Sequence, residues 1–92
     1  MEQAARSFIA ECFWPGVTEA EVEALDARAL ASAGELTDAG EPVRYLGSIL
    51  MRADEVVLCQ FEGAESAVRR AAERAEVPFE RIVETAHPPW SS

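Results

Sequence analysis

Between Ser7 and Trp14 the chain is apolar on both parities, with Glu11 the one interruption. In an extended segment Phe8, Ala10 and Cys12 share one face, and Ile9, Glu11 and Phe13 the other. A strand apolar on both sides belongs inside a sheet, and Pro15-Gly16 ends it. Thr18 and Glu21 then stand at capping-box spacing, with Val17 and Val22 placed as a hydrophobic staple. Val22, Leu25, Ala29, Leu30 and Ala33 recur at helical spacing, which predicts a helix stopped by Gly34 and a loop over residues 35–42.

From Val43 to Glu62 two apolar runs flank Arg52-Ala53-Asp54-Glu55, a polar turn whose Asp54 can hydrogen-bond back to the backbone. We read this as an antiparallel hairpin around which the domain is organised. Its first arm is the more polar, with Arg44, Ser48 and Arg52 on one parity. Its second arm, residues 56–61, is apolar on both and therefore central. Gly63 to Ser66 leads into a second helix with Val68, Ala71, Ala72 and Ala75 as its buried stripe, closed by Pro78. Residues 79–86 alternate as a half-exposed strand. Met1 to Arg6 read as a frayed start, and the tail at 87–92, HPPWSS, cannot join a ladder.

The order is β-α-β-β-α-β. Right-handed crossovers place both helices on one face of a four-stranded antiparallel sheet, an α+β, ferredoxin-like domain spanning residues 7–86. In that topology the first and third strands are central, and these are the two that are apolar on both parities. With both helices on one side, the other sheet face carries more apolar surface than water tolerates. A second copy of the chain is the expected cover, which predicts a homodimer with a cavity between the two sheets.

Composition narrows the partners. The net charge of −9 argues against nucleic acid and anionic membranes, which need cationic surface. The start of the chain lacks a basic and an apolar signal region, and no apolar run is long enough to span a bilayer. A cytoplasmic protein with Cys12 and Cys59 reduced is expected.

Three segments carry a family resemblance: FIAECFWPGVTEAEV, VRYLGSILMRADEVVLCQFEG and AVRRAAERAEVPFERIVE. They resemble the small bacterial nickel-binding-protein-like family, a ferredoxin-like, homodimeric group related to the dimeric α/β-barrel proteins. The resemblance covers residues 7–86 and implies binding of nickel or another divalent transition metal. Such ions take imidazole, carboxylate or thiolate donors. Glu11, Glu84, His87 and Cys59 are the candidate ligands, with Glu62 and Cys12 as further donors, although no CxxC, HxH or HxxxH spacing occurs. Similarity to dimeric α/β-barrel proteins also implies an alternative, a cofactor-independent cyclase, isomerase or monooxygenase acting on a small hydrophobic molecule. Glu11 would be its base, because a carboxylate on an apolar central strand is costly unless paired or facing a cavity. Arg44 and Tyr45 would assist, with Ser48, Gln60 and Glu84 near them. The structural alternative is an ion pair of Glu11 with Arg44 or Arg81. Trp14, and Trp90 in the tail, are aromatics where a partner could dock.

Overall fold

The capping box forms as the sequence predicts: Thr18 Oγ1 accepts the Glu21 amide at 3.1 Å, and the Glu21 carboxylate accepts the Thr18 amide at 2.9 Å. It starts α1 (Glu19–Asp38), which follows β1 (Ser7–Phe13). Then come β2 (Val43–Met51), β3 (Val56–Gly63), α2 (Glu65–Arg74) and β4 (Arg81–Thr85). The computed structural model describes residues 6–86. His87, Trp90 and the rest of the tail lie outside those residues, as does the start before Arg6.

The four strands form one antiparallel sheet in the order β2-β3-β1-β4, so the two doubly apolar strands are central as expected. Both helices cover the face that carries Phe8, Ala10 and Cys12 of β1 and Val57, Cys59 and Phe61 of β3, all buried. Phe8 and Phe61 are cross-strand partners, and Tyr45 lies opposite Phe61 with ring centroids 4.9 Å apart. Three aromatic rings thus run across three strands as the centre of the core.

Several local expectations need correction. The first helix does not stop at Gly34 but runs four residues further, because Leu36 continues the buried stripe. Its stop is Gly40, at φ +96°, whose amide bonds Thr37 O while the Glu41 amide bonds Leu36 O, a Schellman motif. Leu30, expected in the stripe, is 62% exposed, and Ser32 is buried instead, donating to Ala71 O at 2.9 Å across the helix–helix contact. α2 ends before Pro78 in the same motif, with Glu76 taking the left-handed position at φ +58°. The hairpin turn is a short 3₁₀ turn over Arg52–Asp54, closed by the Glu55 amide on Arg52 O rather than by the Asp54 side chain. β4 is shorter than the alternation suggested, and Arg6 is held rather than frayed, its carbonyl accepting the Gly63 amide at 2.8 Å.

β2 also carries a bulge. The pairing with β3 slips between Tyr45 and Gly47, so Arg44 and Ser48, which share a parity, point to opposite faces. Gly63, at the end of β3, has φ +151°, and a Cβ there would stand 2.9 Å from Pro42 O and 3.2 Å from Val43 Cα. Both contacts are with backbone, which cannot swing aside. Gly63→Ala is therefore expected to cost about 1–3 kcal/mol, read as a lowered urea midpoint. A midpoint within error of wild type would contradict this.

Candidate functional site

The bare face of the sheet can be read row by row from the strand register. Arg81, Glu11, Leu58 and Ile49 lie abreast across β4, β1, β3 and β2. On one side of that row are Phe13, Val56 and Met51; on the other are Val83, Ile9, Gln60 and Gly47, then Thr85, Ser7, Glu62 and Arg44. One end of the face is therefore apolar and the other polar. Phe13, Ile49 and Met51 remain 55%, 45% and 40% exposed, a large share for side chains of this kind.

Glu11 sits where strand parity placed it, on this face. Its Oε1 accepts Arg81 Nε at 2.7 Å, so of the two ion pairs foreseen the one with Arg81 forms. Arg44 lies two rows away and donates to Glu62 at 3.1 Å. Both arginines are largely exposed, so each pair contributes little to stability.

Tyr45 and Cys59 are on the opposite, helix-covered face. Tyr45 Oη donates to Asp26 Oδ1 at 2.5 Å and Ser48 Oγ donates to the same oxygen at 2.7 Å, tying α1 to the outer strand. Burial first, and the bond to Asp26 second, push the Tyr45 phenol well above its ordinary range, which keeps it protonated. Asp26 also borders two shallow clefts. One, of about 320 Å³, is lined by Glu19, Val22, Glu23, Ser48, Leu50 and Arg52, and the other, of about 290 Å³, by Ala27, Leu30, Tyr45, Leu46 and Gly47. Sequence reasoning missed Asp26. Its signal was available, since it follows the buried Leu25 and so borders the face that α1 turns to the sheet.

Glu84 stands opposite Phe8 on the helix side of the edge strand, gripped by Arg6 through bonds of 2.8 and 3.0 Å. The Arg6 guanidinium also lies 5.2 Å from the Phe8 ring centroid. The hydrogen bond from Arg6, reinforced by its charge, holds the Glu84 carboxyl below its ordinary range. A depressed carboxyl stabilises the fold above its unfolded pKa, and that contribution is lost as pH falls through the folded value. Glu84→Gln is expected to lower stability slightly at neutral pH and to converge with wild type at low pH, so that its stability falls less steeply than wild type's below about pH 4.5. Urea midpoints across the acid range check this, and an unaltered acid limb would refute it.

The described residues therefore bring the sequence candidates together only in part. Glu11 shares its face with Arg44 but not with Tyr45, Cys59 or Glu84. Among the described residues no group of three His, Cys, Asp or Glu side chains converges on a point that could hold a metal ion. One protomer's described donors do not fit nickel.

Fold and bare face together define a small ferredoxin-like α+β domain with one side of its sheet uncovered. The chain belongs to the nickel responsive protein SCO4226-like family, whose model matches residues 8–85. It is similar to SCO4226 from Streptomyces coelicolor A3(2), whose crystal structure is 22% identical, with a TM-score of 0.66 over 94% of this chain and 99% of that one. At that identity the likeness speaks for the fold alone. No curated protein matches the chain. None of the described helices is long and apolar enough to cross a membrane.

Proposed function

We propose that this is a nickel-binding homodimer whose two sheets pack through their bare faces. The observation that carries the reading is the cluster of Phe13, Val56, Met51, Leu58 and Ile49 on a face that neither helix covers. The polar end of that face, with Glu11 alongside, would meet its counterpart across the dimer. Carboxylates from two copies then supply oxygen donors that one copy does not gather, and His87 is the chain's single imidazole. Membership of a nickel responsive family supports the choice of ion. A small hydrophobic molecule is the alternative occupant of the same space, supported by its apolar end.

Calorimetric titration with Ni²⁺ tests this. Wild type is expected to bind with a fixed stoichiometry per dimer, and Glu11→Ala and His87→Ala are each expected to weaken binding at least about tenfold. Absence of heat with wild-type protein, or binding that neither substitution alters, would overturn the proposed site.

A further inference from the structure

Phe13, Ile49 and Met51 are not the only large apolar side chains left in water. Leu30 and Leu46 remain 62% and 47% exposed, and both line the cleft of about 290 Å³ at the seam of α1 and β2. Leu46 is there because the bulge inserts it between Tyr45 and Gly47. Leu30 is there because its phase on α1 turns it away from the core. Two leucines from separate elements thus meet at one wet cleft, which a stacking of bare sheet faces leaves open.

The seam runs on past Asp26 into the cleft of about 320 Å³. Across Leu50 and Arg52 it reaches a third, of about 190 Å³, at Gly16, Val17 and Glu55. Because neighbouring clefts share these walls, they form one groove. Its apolar points are Val17, Val22, Leu50, Leu46 and Leu30, and its rim carries Glu19, Glu23, Asp26 and Glu55. Arg52 is the one basic residue lining it, and Glu19 already pairs with that guanidinium. Among the described residues Glu23, Asp26 and Glu55 have no cationic partner. The Tyr45 and Ser48 hydroxyls both donate to Asp26 Oδ1, which fixes that carboxylate midway along the groove.

We propose that the α1–β2 groove docks a short amphipathic helix of a partner protein. Its aliphatic residues would sit on Leu30, Leu46 and Leu50, and its Lys or Arg residues against Glu23, Asp26 and Glu55. Charge decides the occupant: a second copy of a chain with net charge −9 would bring acid to acid, whereas a basic segment is attracted and oriented. Shape favours a helix. Ala24, Ala27, Ala31 and Gly34 leave the exposed side of α1 beside Leu30 without long side chains, so a second helix can come close. A paired strand would meet the break in the β2 ladder at Leu46. This groove lies away from the bare face, and the docking stands independently of both the dimer and the metal proposed above.

The test is fluorescence anisotropy of a labelled synthetic peptide of Leu, Ala and Lys, its leucines at i, i+3, i+4 and i+7. It is titrated with the full chain in about 0.15 M salt. Expected is saturable binding at micromolar concentration, one peptide per chain. Peptides with Glu in place of Lys, or Ser in place of Leu, should each bind at least about tenfold more weakly. Leu30→Glu and Glu23→Lys should each weaken binding about tenfold, and both variants should fold because both positions are exposed. Glu73→Lys makes the same change of charge on the exposed side of α2 and should leave binding unaltered. Leu58→Arg should also leave it unaltered, whatever that substitution does to the dimer. No binding by wild type, equal binding of the Ser-bearing peptide, or equal weakening by Glu73→Lys would overturn the proposal. So would a smaller particle mass for Leu30→Glu by light scattering, which would assign the groove to a second copy. Tighter peptide binding by Trp90→Ser would likewise overturn it, by assigning the groove to the chain's own tail.

Discussion

Phe61→Ala is expected to lower stability by about 3–5 kcal/mol, among the largest losses that a single truncation in this core can give. The ring is fully buried and stands between Phe8 on one neighbouring strand and Tyr45 on the other. Its removal opens a cavity between two aromatic rings that their own strands hold in place, so collapse is limited. A domain of this size has about 5–14 kcal/mol in total, so the variant sits near the edge of folding. The melting temperature should fall by about 12 °C or more. Urea titration checks it, with a lowered midpoint and an unchanged slope. Phe61→Leu should recover most of the loss. A drop below about 1.5 kcal/mol for the alanine variant would show that the three-ring row is not the centre of the core.

Leu58→Arg is expected to leave the chain monomeric. Leu58 lies in the row between Glu11 and Ile49 on the central strand of the bare face. In the proposed dimer it meets the other sheet, and a guanidinium there would be buried without a partner in both copies. That costs several kcal/mol per ion, and every 1.4 kcal/mol is about a tenfold loss of affinity. Light scattering behind size exclusion at micromolar concentration should give twice the 10.0 kDa chain mass for wild type and the single chain mass for the variant. In the monomer the position faces solvent, so the variant should fold. A wild-type monomer, or a variant that remains dimeric, would remove the face-to-face arrangement.

Much of the fold was legible because strand parity is a strong signal in a small sheet. The double apolarity of residues 7–13 and 56–61 marked them as central before any pairing was known. What escaped depends on interactions that parity and spacing do not encode. Leucine at position 30 invited a place in the helix stripe, but its angular phase turns it to solvent, and the smaller Ser32 fills the tight contact with α2. Gly34 looked like a stop, yet a helix tolerates an exposed glycine when Leu36 beyond it has a core to enter. The bulge at Leu46 reverses the facing of everything after it in β2, which a simple alternation cannot anticipate.

The candidate site divides in the same way. Glu11 and its ion pair with Arg81 were within reach, because a carboxylate on an apolar strand needs a partner. Strand alternation also put Glu11 and Cys12 on opposite faces, so a ligand set joining Glu11 with core thiols of one copy was already strained on parity. The bonds from Tyr45 and Ser48 to Asp26 join β2 to α1, and only the slipped register of β2 against β3 puts both side chains on that face.

The irregularity at Leu46–Gly47 has a further effect on how copies of this molecule can meet. An outermost strand normally offers a ready template on which another chain can extend the sheet sideways, the first step toward fibres. Here one border is kinked at mid-length, and the other is a five-residue strand bearing Arg81 and Glu84. Lateral growth is discouraged at both borders, whereas the proposed face-to-face dimer would close after two copies instead of running on without limit.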